Sequence, residues 1–139
     1  MNLLNHYAIF LSNGSDKISL IEQIKSKNLT GVLLSFNKLE GVIFSKISVS
    51  KILEEEECHG FTEVTKSLNR SLKSMSSGEQ KKVFLQYLLA QKFDFIILDN
   101  PFDNLDIASR ENLKTRFCEA SKKTIFIQLV HRERDLLPF

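Results

Sequence analysis

The sequence is poor in several features that define common classes of protein. It has two cysteines, Cys58 and Cys118, and they lack the spacing of a metal site. Without a recognisable secretory signal, we expect both thiols to be reduced, as in a cytoplasmic protein. No apolar run reaches the roughly 20 residues that a bilayer-spanning helix needs, so direct membrane insertion is not expected. No sustained heptad pattern predicts a long coiled coil.

An excess of charge of one sign is also missing. The 19 Lys and Arg residues against 17 Asp and Glu residues leave a net charge of +2, and the two signs are interspersed. A nucleic-acid partner is therefore not expected on electrostatic grounds. A content of 42% apolar and 26% charged residues is ordinary for a globular protein, and the length suits a single domain, residues 1–139.

Short apolar runs alternate with helical patterns, which predicts an α/β fold with a mostly parallel sheet between layers of helices. The runs expected to form core strands are residues 6–11, 30–36, 93–98 and 124–130. Residues Gly41–Phe44 are expected to form a short strand or a hairpin partner. Ligands bind at the carboxyl ends of the strands in such sheets, so the residues after each run are the candidates for a site.

The helix that precedes the third run has an unusual polar start. Ser76, Ser77 and Gly78 can begin a helix with their backbone N–H groups exposed. Such a terminus attracts anions because its amides are unpaired and its dipole end is positive. Apolar residues then recur at helical spacing, which predicts an amphipathic helix with a possible anion site at its start.

The third run itself ends on a carboxylate. Residues 93–98 have the continuous apolar character of a strand buried on both faces, and Asp99 follows at its carboxyl end. A turn then leads to Asp106, which can cap a helix over residues 108–120.

The segment after the first run has the strand, turn and helix order that a phosphate-binding loop requires. Such loops have glycine, four residues, glycine, lysine and then serine or threonine. The residues that agree with a loop of this kind are Asn13, Gly14, Ser15 and Lys17, with Ser19 placed to reach an α-phosphate. Leu11 and Asp16 stand where glycines are expected, and Ile18 replaces the hydroxyl that would hold Mg²⁺. The carboxylate of Asp16 would repel a polyphosphate, so we expect weakened nucleotide binding.

Three motifs in this stretch resemble those of the ATP-binding cassette family. The family signature, of the Leu-Ser-Gly-Gly-Gln type, corresponds to residues 75–79, its Walker B strand to residues 95–100, and its D-loop, which ends in Leu-Asp, to residues 104–106. The motifs occur in the family's order at compact spacing, which makes the resemblance specific. The sequence of residues 101–106 is also similar to that of tandem cassettes of the molybdate-uptake or photorepair kind.

The resemblance implies a P-loop NTPase-like three-layer core that binds ATP and Mg²⁺. It assigns Asp99 to orient the metal through water, and it places Asn100 where the family has the glutamate that polarises the attacking water. It also identifies His131 with the switch histidine beside the γ-phosphate. Because asparagine is a poor proton acceptor and losing a general base costs about 10²- to 10⁴-fold, we expect slow hydrolysis.

Other parts of the family pattern are reduced. A cassette has a glutamine after its second parallel strand, but here Asn37 or Lys38 occupies that neighbourhood. Residues 46–74 are expected to form an abridged helical subdomain, in which the acidic run 54–57 is a solvated helix face and Gly60 ends a helix. Both ends are short relative to the family, so we expect a P-loop core without most of its antiparallel layer, or a fragment of a longer protein.

Three functions remain open. The first is the nucleotide-binding domain of an ABC transport ATPase that dimerises with nucleotide and has weak or absent hydrolysis of its own. The second is a pseudo-ATPase that lends its signature surface, with Ser76, Gly78 and Asp106, to a competent cassette. The third is a cassette head of the DNA-repair type. The partners expected for the first two are a second cassette and a membrane subunit in another chain, which would hold a cytoplasmic protein at the membrane.

Overall fold

The computed structural model describes residues 5–11, 14–66, 68, 70–130 and 137. Its strands are β1 (Tyr7–Phe10), β2 (Gly41–Phe44), β3 (Phe95–Asp99) and β4 (Ile125–Val130). Its α-helices are α1 (Gly14–Lys25), α2 (Lys46–His59), α3 (Ser77–Ala90) and α4 (Ile107–Ala120). Shorter 3₁₀ helices lie at Gly31–Lys38, Glu63–Thr65 and Leu72–Ser74. Among these described helices, none is long and apolar enough to cross a bilayer.

The four strands form one parallel sheet in the order β1-β4-β3-β2. In the centre, Ile97 of β3 is opposite Ile43 of β2 on one side and Ile127 of β4 on the other. Every residue of β3 is buried, as expected for an apolar strand covered on both faces. The prediction of an α/β fold with a parallel sheet is confirmed.

Helices cover both faces of this sheet and produce three layers. On one face, Leu20 and Ile24 of α1 pack on a cluster that also contains the first 3₁₀ helix. On the other face, α3 and α4 pack on the sheet, and Phe117 of α4 is fully buried. The Phe117 ring lies edge-on to Phe44 and Phe126, with centroids 5.5 and 5.8 Å away. These cores fix the direction of β3 and therefore the position of Asp99 at its end.

The prediction of a core strand at residues 30–36 is wrong, because this run forms the 3₁₀ helix Gly31–Lys38. The side chain of Asn37 accepts a hydrogen bond from the Leu29 N–H (2.7 Å) and donates one to the Leu29 carbonyl (2.9 Å). These bonds join the end of the 3₁₀ helix to Leu29, just before its start. A short apolar run does not reveal by itself whether it is a buried strand or a buried helical segment.

The strand beside β3 is instead β2, which pairs with it in parallel and is not a hairpin partner. Gly41, at the start of β2, lies against the ring of Phe95, and any Cβ there would overlap the ring. The position after the second parallel strand therefore falls at Ser45, not at Asn37 or Lys38. Ser45 caps α2 and forms a reciprocal capping box with Ser48.

Residues 46–74 contain α2 and two short 3₁₀ helices. Gly60 adopts φ +66° and ends α2 in the left-handed conformation, which confirms the predicted helix end. The acidic run 54–57 is only partly a solvated face. The Glu56 carboxylate accepts hydrogen bonds from the Leu72 N–H at 2.8 and 3.1 Å, so it supports the turn that precedes α3.

His6 connects the start of β1 to two other elements. Its Nδ1 accepts the N–H of Phe126 at 3.0 Å, and its Nε2 lies 3.0 Å from the carbonyl of Ser121. This pattern assigns the neutral tautomer with its proton on Nε2. Burial lowers the pKa of His6, and the bond to Ser121 opposes that shift. The neutral imidazole therefore links the start of β1 to β4 and to the end of α4.

Candidate functional site at the carboxyl ends of the strands

The central contact of the candidate site joins α1 to β3. The Lys17 ammonium lies 3.4 Å from Oδ2 and 3.5 Å from Oδ1 of Asp99, so it faces both carboxylate oxygens. The Asp99 side chain is only 10% exposed and that of Lys17 is 28% exposed. Two residues that the sequence placed in separate motifs therefore meet at one point, where α1 begins and β3 ends.

The rest of the predicted loop is less completely described. Asn13 lies outside the described residues, as do His131 and the side chains of Ser15 and Asp16. Gly14 is the first residue of α1. Ser19 is exposed on the same helix.

That Asp99 orients Mg²⁺, as the resemblance implies, stays a prediction. Ile18, at the position of the metal-binding hydroxyl, has no oxygen in its side chain and is 61% exposed. The carboxylate of Asp99 already faces an ammonium group. Among the described residues, no group of three or more His, Cys, Asp or Glu side chains is placed to hold a metal. Mg²⁺ prefers several oxygen ligands in octahedral geometry, and Ile18 does not supply one.

Asn100 follows Asp99 in the left-handed conformation, with φ +48°. Asparagine tolerates this conformation better than most residues do. Its backbone carbonyl accepts the N–H of Asp103 at 3.2 Å, which begins the turn after β3. Asn100 thus places a neutral amide side chain on a backbone that is held in the left-handed conformation at the start of this turn.

The predicted anion site at the start of α3 is a capped helix terminus. Ser76 is the N-cap: its Oγ accepts the N–H of Glu79 at 3.2 Å and lies 3.2 Å from a Glu79 carboxylate oxygen, to which it donates. Ser77 and Gly78 form the first turn. The amides of this turn have no partner within the helix, as at every helix start.

Arg70 stands beside this terminus. Its guanidinium donates to Glu79 at 2.8 Å and to the carbonyl of Ser74 at 3.0 Å. The hydrogen bond from Arg70 is the largest cause that lowers the pKa of Glu79. The glutamate in the signature is therefore ionised and paired with a cation, which reduces its repulsion of an approaching anion.

The start of α3 lies against the start of α4. A Cβ on Gly78 would come within 2.7 Å of the Ser109 hydroxyl oxygen, so glycine permits this close approach. Asp106 caps α4 by accepting the Ser109 N–H at 2.7 Å, and that bond lowers the pKa of Asp106. A groove of about 320 Å³ lies between the two helices. Its lining residues are Ser76, Gly78, Glu79, Lys82, Ala108, Ser109, Asn112 and Leu113.

Lys81 provides a second link between α3 and the turn after β3. The residue is 6% exposed, and its ammonium donates to the Asp103 carbonyl at 2.6 Å. Burial lowers the pKa of Lys81, and the charge of Asp103 opposes this. The sequence did not single out Lys81, although it lies at helical spacing with the buried Phe84 and Leu88, and that spacing was a usable signal.

The turn before Ser76 is held by side chains that no sequence motif marks. Besides Glu56 and Arg70, Gln80 donates from Nε2 to the carbonyls of Leu72 (3.1 Å) and Met75 (3.3 Å). These contacts hold an irregular turn, so no periodic pattern indicates them.

A parallel three-layer α/β domain, with a lysine at the start of its first helix facing an aspartate at the end of a central strand, is of the P-loop NTPase type. No protein-family model matches the sequence. The chain is 39% identical over 75 residues to the ABC transporter ATP-binding protein ModF of Escherichia coli (strain K12), which covers 54% of this chain and 15% of that protein. It is 30% identical over 97 residues to the molybdate/tungstate import ATP-binding protein WtpC of Methanocaldococcus jannaschii, which covers 69% of this chain and 31% of that protein.

The fold is also similar to solved structures. A transporter described as of the metal-chelate ABC type, in an inward-facing conformation, superposes with a TM-score of 0.60 at 14% identity, over 95% of this chain and 65% of that chain. The resemblance to the ATP-binding cassette family is therefore confirmed, and the fold is that of its ATPase domains. The chain spans less than a third of the length of either curated relative named above.

Proposed function

We propose that this chain is the nucleotide-binding domain of an ABC transport ATPase that works in a pair of cassettes, and that it serves the pair mainly through its signature surface. The observation that carries the proposal is the contrast between its two surfaces. At its own nucleotide site, Ile18 and Asn100 replace the metal-binding hydroxyl and the catalytic carboxylate. At the start of α3, Ser76 caps the helix and Gly78 lies in its first turn, where the backbone amides of a helix terminus can receive an anion.

Weak or absent hydrolysis at its own site follows from the chemistry of these replacements. The amide of Asn100 cannot accept a proton from water at neutral pH. The loss of a general base costs about 10²- to 10⁴-fold in rate. Without a hydroxyl at Ile18, the site also lacks a ligand for the metal that neutralises charge in phosphoryl transfer.

On this proposal, the signature surface donates hydrogen bonds to the phosphates of a nucleotide held by another cassette. The hydroxyl of Ser76 and the amide of Gly78 lie together at the positive end of α3, and charge-assisted hydrogen bonds from such groups are worth about 1.5–3 kcal/mol each. Arg70 neutralises Glu79, the acidic side chain in this turn. Phosphate would compete with the Glu79 carboxylate for the Ser76 hydroxyl, and it would leave the helix cap formed by the Glu79 N–H intact.

The names of the curated relatives support a place in a transport system. We propose that the membrane-spanning subunit is a separate chain. On this proposal, the chain would reach the membrane through that subunit.

The test uses this chain coexpressed with a catalytically competent cassette from the same genome. Ser76→Arg places a bulky cation where the phosphate would bind, and we expect it to abolish the ATP-driven association of the pair and its turnover. Ser50→Arg is the matched control, because Ser50 is an exposed serine on α2 that does not line the groove beside Ser76. Equal association by the two variants and the unmodified chain would refute the proposal. The circular dichroism of each variant shows whether it is folded.

A further inference from the structure

We infer that Lys81 is a positioning residue: its ammonium group fixes the turn of residues 100–106 against α3. Because this turn carries Asp106, Lys81 sets where Asp106 lies relative to Ser76 on the surface presented to the second cassette. The role of that surface in a pair rests on the proposed function, whereas the position of the turn is a property of the isolated chain.

Lys81 is a costly residue at its position in α3. It is 6% exposed, and its ammonium group donates a 2.6 Å hydrogen bond to the Asp103 carbonyl. Among the residues that the structure describes, no carboxylate lies within ion-pair distance of it. Burial lowers the pKa of Lys81, the charge of Asp103 opposes this, and the charge of Lys46 adds to it. A buried cation without an ion-pair partner contributes little to the free energy of folding, so its hydrogen bond to the turn is what Lys81 supplies.

The turn depends on anchors outside itself. Asn100 and Asn104 both have left-handed backbone conformations, with φ +48° and +61°. The backbone hydrogen bonds within the turn are long: the Asp103 N–H donates to the Asn100 carbonyl at 3.2 Å, and the Leu105 N–H donates to the Phe102 carbonyl at 3.3 Å. The conformation of the turn therefore depends on its contacts with α3 and α4.

Apolar contacts hold the turn on either side of the residue that Lys81 binds. Phe102 lies edge-on to Phe117 of α4, with ring centroids 5.8 Å apart. Leu105 lies beside Gly78 of α3. Lys81 adds the polar anchor between these two contacts. Without it, the middle of the turn loses its bond to α3.

The first test compares Lys81→Met with Lys51→Met in the isolated chain. Methionine has a similar length and a similar helix propensity, and it puts no charge in the buried site. Lys51→Met is the matched control, because Lys51 is an exposed lysine on α2. We expect the thermal midpoint of Lys81→Met to equal or exceed that of the control. We expect ¹⁵N relaxation and relaxation dispersion to show more motion at the amides of Asp103 and Leu105, with no change in β3.

The second test measures the ATP-driven association of each variant with the competent cassette. If about a tenth of the Lys81→Met molecules hold the turn in its competent position, the apparent dissociation constant rises about tenfold. We expect a rise of that size for Lys81→Met and none for Lys51→Met.

A thermal midpoint below that of Lys51→Met, or failure of Lys81→Met to fold, would overturn the inference, because Lys81 would then be a structural residue. Unchanged amide dynamics in the turn would overturn it as well. If Ser76→Arg weakens the association and Lys81→Met does not, Lys81 has no role in the pair and the inference fails alone. If neither variant weakens the association, the proposed function fails, and the amide dynamics still decide whether Lys81 fixes the turn.

Discussion

Replacing Gly41 by alanine tests the strand pairing that positions Asp99. Gly41 is paired with Phe95 across β2 and β3, and a methyl group at Gly41 would overlap the Phe95 ring. The ring is 2% exposed and lies edge-on to Phe36, with centroids 5.0 Å apart, so it has little room to move away. The pairing of β2 with β3 predicts that this single methyl group is poorly tolerated.

Two effects of opposite sign determine how far Gly41→Ala changes the free energy of unfolding. Alanine in a strand gains roughly 0.5–1 kcal/mol over glycine because it loses less backbone entropy on folding. Overpacking a tightly filled core costs about 1–3 kcal/mol. Since the ring is confined on several sides, we expect the overlap to dominate, with a net loss of about 1–2 kcal/mol in the free energy of unfolding.

Urea unfolding followed by far-ultraviolet circular dichroism suits this protein, because it has no tryptophan. Phe95→Leu provides a matched background in which the flat ring is absent. We expect Gly41→Ala to be close to neutral there, which gives a coupling energy of about 1–2 kcal/mol in a double-mutant cycle. An equal cost in both backgrounds would refute the proposed contact between β2 and β3.

Three further predictions concern other parts of the structure. Because the folded-state pKa of His6 lies below its ordinary value of 6.5, its contribution is complete above about pH 6.5 and is lost as the pH falls from there through the folded-state pKa. The stability advantage over His6→Gln should therefore shrink between pH 7.5 and 5 in urea titrations, and a constant difference would contradict this. Asn104 has φ +61°, so Asn104→Ala should lower the free energy of unfolding by about 1 kcal/mol more than Asn104→Gly, and equal stabilities would exclude strain there. Asn100→Glu alone should leave phosphate release at background because Ile18 still provides no metal ligand, and measurable turnover would show that the missing base was the only defect.

Much of the sheet could be predicted from the sequence because its apolar runs are continuous and end at polar residues. The runs 93–98 and 124–130 correspond to β3 and β4 with small shifts at their ends. The run 30–36 was misassigned because Phe36 and Leu33 are buried in a helical turn whose composition also suits a strand. The strand beside β3 is β2 and not the run 30–36. This pairing depends on the contact of Gly41 with the Phe95 ring, and two residues 54 positions apart leave no local pattern.

The candidate site was predictable only in part. That Lys17 and Asp99 would approach each other follows from the rule that ligand-binding residues gather at the carboxyl ends of parallel strands. That they would pair directly does not follow from any motif, because the motif assigns both residues to other partners. The contact of Arg70 with Glu79 and that of Glu56 with Leu72 depend on how the loop between α2 and α3 folds back. Side-chain contacts across such loops have no sequence period.

The most direct test of the proposed division of roles between the loop at Lys17 and the signature surface is to count the nucleotides bound by the assembled pair. The chain would be joined to a competent cassette whose catalytic glutamate is replaced by glutamine, so that ATP is trapped and not hydrolysed. We expect equilibrium dialysis with labelled ATP to give one nucleotide per pair, held by the partner's loop and the Ser76 end of α3. A value of two per pair would mean that the loop at Lys17 binds nucleotide, and it would contradict the proposed division of roles between the two surfaces.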